Sequence, residues 1–140
     1  MQAHALVYPM FAMVLLTAST LARLFVSRLG SVRAGAVNPR FFQIYQGGAE
    51  PEASAKLARH FVNLFEAPTL FYVACLAALA TEQSGTGLVA LAWLYVAVRC
   101  VHTFIHTGSN VLNARIAAYF SSWFVLLALW IRVVVGAAER

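Results

Sequence analysis

Apolar side chains dominate four stretches of the chain, residues 5–22, 67–81, 85–98 and 116–131, and none of these contains a charged residue. A helix that crosses a bilayer needs about 20 predominantly apolar residues, so each run must absorb a few polar neighbours to span. Extended in that way, the pattern predicts membrane helices at about residues 5–27, 54–81, 87–107 and 112–137. The polar segment 28–53 carries turn signals at Gly30, Asn38-Pro39, Gly47-Gly48 and Pro51. The connector at 82–86 is short enough to make the second and third helices antiparallel neighbours, and Gly108-Ser109-Asn110 separates the third from the fourth. These elements predict an all-α integral membrane protein, a single four-helix transmembrane bundle over residues 1–140 with no internal repeat.

Composition agrees with lipid as the solvent. Hydrophobic residues make up 61% of the chain and charged residues 11%, with a mean hydropathy of +0.75; a soluble domain carries about 25% charged residues. The formal charge of +5 contains no basic block, which argues against a nucleic-acid partner. No Lys or Arg precedes the first apolar run, while Arg23 and Arg28 follow it. That order is the reverse of a secretory signal, so the run reads as a retained helix. Cys75 and Cys100 sit inside apolar runs, where cysteine acts as a small hydrophobe; neither has an activating base in its own helix.

Four spans place both termini on one side. The loops on the other side carry Arg28, Arg33, Arg40 and Lys56, with Arg115 just past the second of them, whereas the middle connector holds only Glu82. The positive-inside bias therefore predicts a cytoplasmic segment 28–53 and both termini on the outer side, where Arg132 and Arg140 are outnumbered.

Charge within the spans is the unusual feature. An Arg or Asp at the bilayer centre costs about 2.5–3.5 kcal/mol on insertion scales. In the second helix Arg59, Asn63 and Glu66 fall within roughly 60° of arc, a polar stripe on an apolar helix. Arg99, His102 and His106 repeat the device on the third helix. Glu66 lies about 10 Å deeper than Arg59, at a depth similar to that of Arg99. Arg115 opens the fourth helix and Arg23 nears the end of the first, so all four helices deliver polar groups to one leaflet.

Glu66 is the only carboxylate in that layer, against Arg23, Arg59, Arg99 and Arg115. Surplus guanidinium in a low dielectric favours carboxylate or phosphate, which it grips with two parallel hydrogen bonds. An anionic ligand is the expectation. Pro68 cannot donate to the carbonyl of Leu64, which predicts a kink there. Other readings of these residues are structural. Asn63 and a Glu66–Arg99 ion pair serve equally well as interhelical glue. Arg23 can snorkel to the interface, and His60 faces away from the stripe as an interfacial residue. Arg132 reads as an outer anchor, and Trp93, Trp123 and Trp130 as packing or belt residues. His102 and His106, at i and i+4 with Glu66 as a third ligand, could meet a metal or haem, but the nearby arginines repel a cation, so no metal site is expected.

The string Arg59-x3-Asn63-x2-Glu66-x-Pro68 resembles a signature of the MAPEG family, the membrane-associated proteins in eicosanoid and glutathione metabolism. Arg99-x2-His102-Thr103 resembles its prostaglandin-synthase members, and Arg115 falls at the matching distance beyond it. With the four-span layout, the resemblance covers nearly the whole chain. It implies a homotrimer of four-helix subunits with glutathione as co-substrate, bound between subunits near the cytoplasmic face. It further implies that Arg59, Asn63 and Glu66 help hold the tripeptide and that Arg115 stabilises its thiolate, a role in which a guanidinium favours S⁻ over SH. Arg99, His102 and His106 belong to the same binding layer, which lipophilic electrophiles would reach from the membrane. The chain resembles a bacterial-type member, which implies a bacterial inner membrane. It departs from the prostaglandin-synthase pattern at His106, where that pattern has Tyr, at Ile116 in place of Ser, and in the length of segment 28–53. A glutathione-dependent membrane transferase or peroxidase is therefore the leading expectation. The alternative is a non-catalytic membrane protein whose Arg cluster binds anionic lipid or a partner membrane complex.

Overall fold

A computed structural model describes residues 4–83 and 85–139 of the chain, so Arg140 lies outside the described residues. The described residues form helices and connecting turns, with no strand. α1 (Val7–Arg33) is followed by the single turn α2 (Phe41–Ile44). α3 (Glu52–Asn63) and α4 (Ala67–Ala80) together make the second span. α5 (Thr86–Thr107) and α6 (Leu112–Ala138) complete the set. Four helical stretches are thus long and apolar enough to cross a membrane, Val7–Arg33, Glu52–Ala80, Thr86–Thr107 and Leu112–Ala138. The chain is a multi-pass integral membrane protein.

The first helix runs to Arg33, well past the expected end near Ser27. Its stop is Gly35 rather than Gly30. Gly35 adopts φ +70, the left-handed conformation that glycine enters without a Cβ penalty. The Gly35 N–H then donates to the Val32 carbonyl and the Ala36 N–H to that of Ser31, a complete Schellman cap. Part of the expected loop is therefore helix, and the remainder is pinned back onto it. Arg28 pairs with Glu50 at 2.8 Å, donates to the Tyr45 hydroxyl at 3.1 Å, and lies 4.9 Å over the Phe42 ring.

The kink expected at Pro68 is a full break placed slightly earlier. α3 ends at Asn63, residues 64–66 form turns, and α4 restarts at Ala67 with Pro68 in its first turn. That position suits proline, because the first N–H groups of a helix have no intrahelical partner. Phe65 and Glu66 close the turn through i−3 bonds to Val62 and Asn63. The break lets one span serve different neighbours: α3 packs on α1 and α5, whereas α4 packs on α6 and α1.

Small residues allow the close approaches. Ala74, Ala78 and Ala92 are wholly buried beside Phe71, which stacks on Tyr95 with centroids 4.6 Å apart. The outward residues are equally apolar; Phe104 is 81% exposed and Phe124 71%, which is the exposure a lipid-facing surface requires. Cys75 is buried and Cys100 exposed, both as free thiols.

Candidate functional site

The polar stripes of α3 and α5 meet at the end of the bundle that carries segment 34–51. Arg99 is the largest fully buried side chain there, at 0% exposure. Its Nη2 donates to Oδ1 of Asn63 at 3.0 Å and to the Asn63 carbonyl at 3.3 Å. The other end of the same amide, Nδ2, donates to Oε2 of Glu66 at 2.8 Å. Only one orientation of the amide satisfies both neighbours, oxygen toward the cation and nitrogen toward the carboxylate. The possible direct Glu66–Arg99 ion pair is thus replaced by an amide-bridged relay. Nε and Nη1 of Arg99 find no partner among the described residues.

His60 corrects the sequence reading most clearly. It was expected at the interface, yet it is wholly buried, with its ring centroid 5.4 Å from that of His102 and 5.0 Å from that of His106. His60 Nε2 lies 2.8 Å from the Thr103 hydroxyl, which itself donates to the Arg99 carbonyl at 2.8 Å. A hydroxyl has one proton to give, so His60 Nε2 must be the donor in that pair. Nδ1 of His60, His102 and His106 all find no hydrogen-bond partner among the described residues. Among the described residues, no group of three His, Cys, Asp or Glu is arranged to hold a metal ion.

A cleft of about 180 Å³ opens beside this cluster, lined by Asn63 of α3, His102 and His106 of α5, and Arg115, Ile116 and Tyr119 of α6. Arg115 is aimed by the turn that precedes α6. Gly108 ends α5 where any Cβ would stand 2.8 Å from the Phe104 carbonyl oxygen, and Asn110 then takes φ +52. From that position Asn110 Oδ1 accepts from Nη1 of Arg115 at 2.8 Å. Four of the expected residues, Asn63, His102, His106 and Arg115, therefore share one cleft. Arg99 stands behind Asn63, and Glu66 attaches through the same amide. Arg59 is exposed on α3 and does not line the cleft.

Sequence reasoning missed Asn110, Tyr119 and His60. Tyr119 stands one helical turn after Arg115 and its ring is 5.9 Å from that of His102, so the i+4 spacing was available as a signal. Asn110 was visible only as a turn residue. His60 carried no signal, because its helical phase sets it off the stripe and only the position of α5 reveals what it meets. Chemically, the cleft offers one guanidinium, two imidazoles, an amide and a phenol, with a second guanidinium buried behind and a single carboxylate nearby. That set suits an anion with further hydrogen-bonding groups. No curated protein and no solved structure was found to match the chain. The family comparison does match, over residues 6–135, so this four-span protein with its Arg- and His-lined cleft belongs to the MAPEG family.

Proposed function

We propose that the chain is a glutathione-dependent membrane transferase or peroxidase acting on lipophilic electrophiles. The observation that carries this reading is the convergence of Asn63, His102, His106 and Arg115 from three helices on one cleft. Glutathione brings two carboxylates, an ammonium and a thiol, and its net negative charge complements a layer in which four arginines face one glutamate. Arg115 stands beside the sulfur and holds it as thiolate, the thiol proton passing to water. Arg59 and Arg99 supply positive charge for the carboxylates, Glu66 and Asn63 receive the ammonium, and the His102 and His106 imidazoles orient the tripeptide.

In transfer, the sulfur–carbon bond forms while the leaving group departs with its bonding pair. In peroxide reduction, the sulfur takes the terminal oxygen, the O–O bond breaks, and a proton from water completes the alcohol. A second glutathione then converts the sulfenic acid to disulfide and water. The cleft of one chain, about 180 Å³, is smaller than the roughly 300–1,000 Å³ of ordinary ligand pockets. That size supports a site completed by a neighbouring copy, in the homotrimer that the family resemblance implies, near the cytoplasmic face by the positive-inside bias.

Titration of the purified protein with glutathione tests the reading. The ultraviolet band of a bound thiolate should appear and saturate, and Arg115→Ala should abolish it while leaving helix content unchanged. Absence of binding at millimolar glutathione would reject the function.

A further inference from the structure

The segment that joins α1 to α3 lines no part of the cleft. Between residues 28 and 58 the chain carries the cations Arg28, Arg33, Arg40 and Lys56 and the carboxylates Glu50 and Glu52. Both carboxylates are taken: Glu50 pairs with Arg28 at 2.8 Å and Glu52 with Lys56 at 2.7 Å. Arg33 and Arg40 stand exposed, and among the described residues no carboxylate lies within ion-pair distance of either. The same stretch exposes two large apolar side chains, Ile44 at 66% and Tyr45 at 56%, while Phe41 is buried beneath them. The backbone N–H of Arg40 donates to Oδ1 of Asn38 at 2.9 Å and starts the turn of α2. Four residues apart on that turn, Arg40 and Ile44 share one side. Surplus positive charge and apolar surface therefore stand together.

The depth of this surface follows from Arg28. Phe25 and Val26 are the last exposed large apolar residues of α1, and Arg28 is only about 3 Å further along the axis. Its Cζ lies 4.9 Å from the centre of the Phe42 ring, and its Nη2 donates to the Tyr45 hydroxyl at 3.1 Å. The turn 41–45 is thus tied back to the level of Arg28. The headgroup layer is about 5–8 Å thick on each side of the hydrocarbon, so Arg28 and the turn bound to it lie within it. Arg33, roughly 10 Å beyond Val26, stands at its outer limit. In that layer an exposed isoleucine or tyrosine is covered by lipid, and an unpaired guanidinium grips phosphate oxygens with two parallel hydrogen bonds.

We infer that segment 33–45 is a docking surface for anionic phospholipid headgroups, with Arg33 and Arg40 on phosphate and Ile44 and Tyr45 in the boundary between headgroups and acyl chains. The apolar pair lies at a depth where lipid is the medium, which favours a membrane surface over a soluble partner. The two surplus cations have no counter-charge within the segment, which favours anionic over zwitterionic lipid; each is worth about a fivefold preference near a membrane. The inference uses none of the cleft residues and is independent of the glutathione reading.

A fluorophore beside the apolar pair tests it. Gln46 is exposed, Cys75 is buried and Cys100 is exposed, so Gln46→Cys with Cys100→Ser directs the label to one position and leaves Ile44 and Tyr45 in place. The full-length chain is reconstituted in vesicles of phosphatidylcholine and phosphatidylglycerol in equal parts. One lipid or the other carries bromine near the top of an acyl chain. Bromine on phosphatidylglycerol should quench the label about fivefold or more as strongly as bromine on phosphatidylcholine. Arg33→Gln with Arg40→Gln should remove the difference, and Ile44→Ser should weaken quenching by both lipids. If the labelled chain fails to fold, spin-labelled phosphatidylglycerol against spin-labelled phosphatidylcholine measures the same preference on the unlabelled chain and its double variant. Equal quenching by the two lipids, no quenching by either, or a preference that survives the double variant would overturn the inference. Efficient disulfides between chains through Gln46→Cys would do the same, by showing that a second copy covers the face.

Discussion

The Arg99–Asn63–Glu66 relay makes a prediction whose sign is unusual. Asn63→Leu keeps the branched shape and heavy-atom count of the side chain but removes the acceptor for Arg99 and the donor to Glu66. Glu66 is exposed and can turn to other partners; Arg99 is wholly buried and keeps only its longer bond to the Asn63 carbonyl. Interhelical hydrogen bonds inside membranes average about 0.6 kcal/mol and reach about 1.7, whereas bonds to a charged group are worth about 1.5–3 kcal/mol. A charged Arg99 places the cost of Asn63→Leu in the second range. Arg99→Met removes the buried charge together with its need for a partner, so the double variant should be more stable than Asn63→Leu alone. Reversible unfolding in mixed micelles, titrated with SDS and followed by helical circular dichroism, gives all four corners of the cycle. The coupling should be about 1.5–3 kcal/mol. A coupling below about 0.6 kcal/mol, or a double variant weaker than both single ones, would refute the relay as a charged network.

Two other consequences concern the backbone. Asn110→Gly preserves the tolerance for φ +52 but removes the side chain that aims Arg115. Glutathione affinity should fall about tenfold, with thermal stability changed by less than about 0.5 kcal/mol; calorimetric titration beside a melting curve measures both. The two glycines of α1 should respond in opposite directions. Gly35→Ala, at φ +70, should destabilise by about 1 kcal/mol, while Gly30→Ala, inside the helix with nothing within 4 Å, should stabilise by up to about 1 kcal/mol. Equal effects at both positions would show that the helix does not end at its Schellman cap.

The sequence made some parts of this architecture legible and hid others for identifiable reasons. Uncharged runs locate membrane helices because hydrocarbon tolerates little else, and the spacing of Arg59, Asn63 and Glu66 marked one face of the second span. The end of α1 was hidden because Gly30 and Gly35 look alike in sequence, and only hydrogen bonding distinguishes a helix interior from its stop. Pro68 announced a disruption, but its position in the first turn of α4 moved the break to 64–66. His60 was misplaced because helical phase specifies a direction and not a neighbour. With α1 on one side of α3 and α5 on another, a residue off the polar stripe can still be buried against Thr103.

The two faces of α3 also constrain the route by which a hydrophobic substrate would reach the proposed thiolate. Asn63 turns toward the cleft while Phe61 and Phe65 turn toward α1, and a helix body about 10–12 Å across separates them. An electrophile held in the apolar groove that Ala18 and Phe65 line between α1 and the second span is therefore on the wrong side for attack. On α6, by contrast, Tyr119 belongs both to the cleft and to an apolar hollow of about 490 Å³ formed with Phe120, Trp123, Phe124 and Leu127. That surface leads from lipid to Arg115 along a single helix face, since residues 115, 119, 123 and 127 repeat at i+4. Leu127→Trp, which fills the outer part of the hollow, should raise KM for a lipophilic electrophile about tenfold and leave the thiolate band of glutathione unchanged. Ala18→Trp, on the opposite face of the span, should alter neither quantity. The reverse pattern, with KM raised by Ala18→Trp and untouched by Leu127→Trp, would place the route along α1 and require Arg115 to act on a substrate arriving across α3.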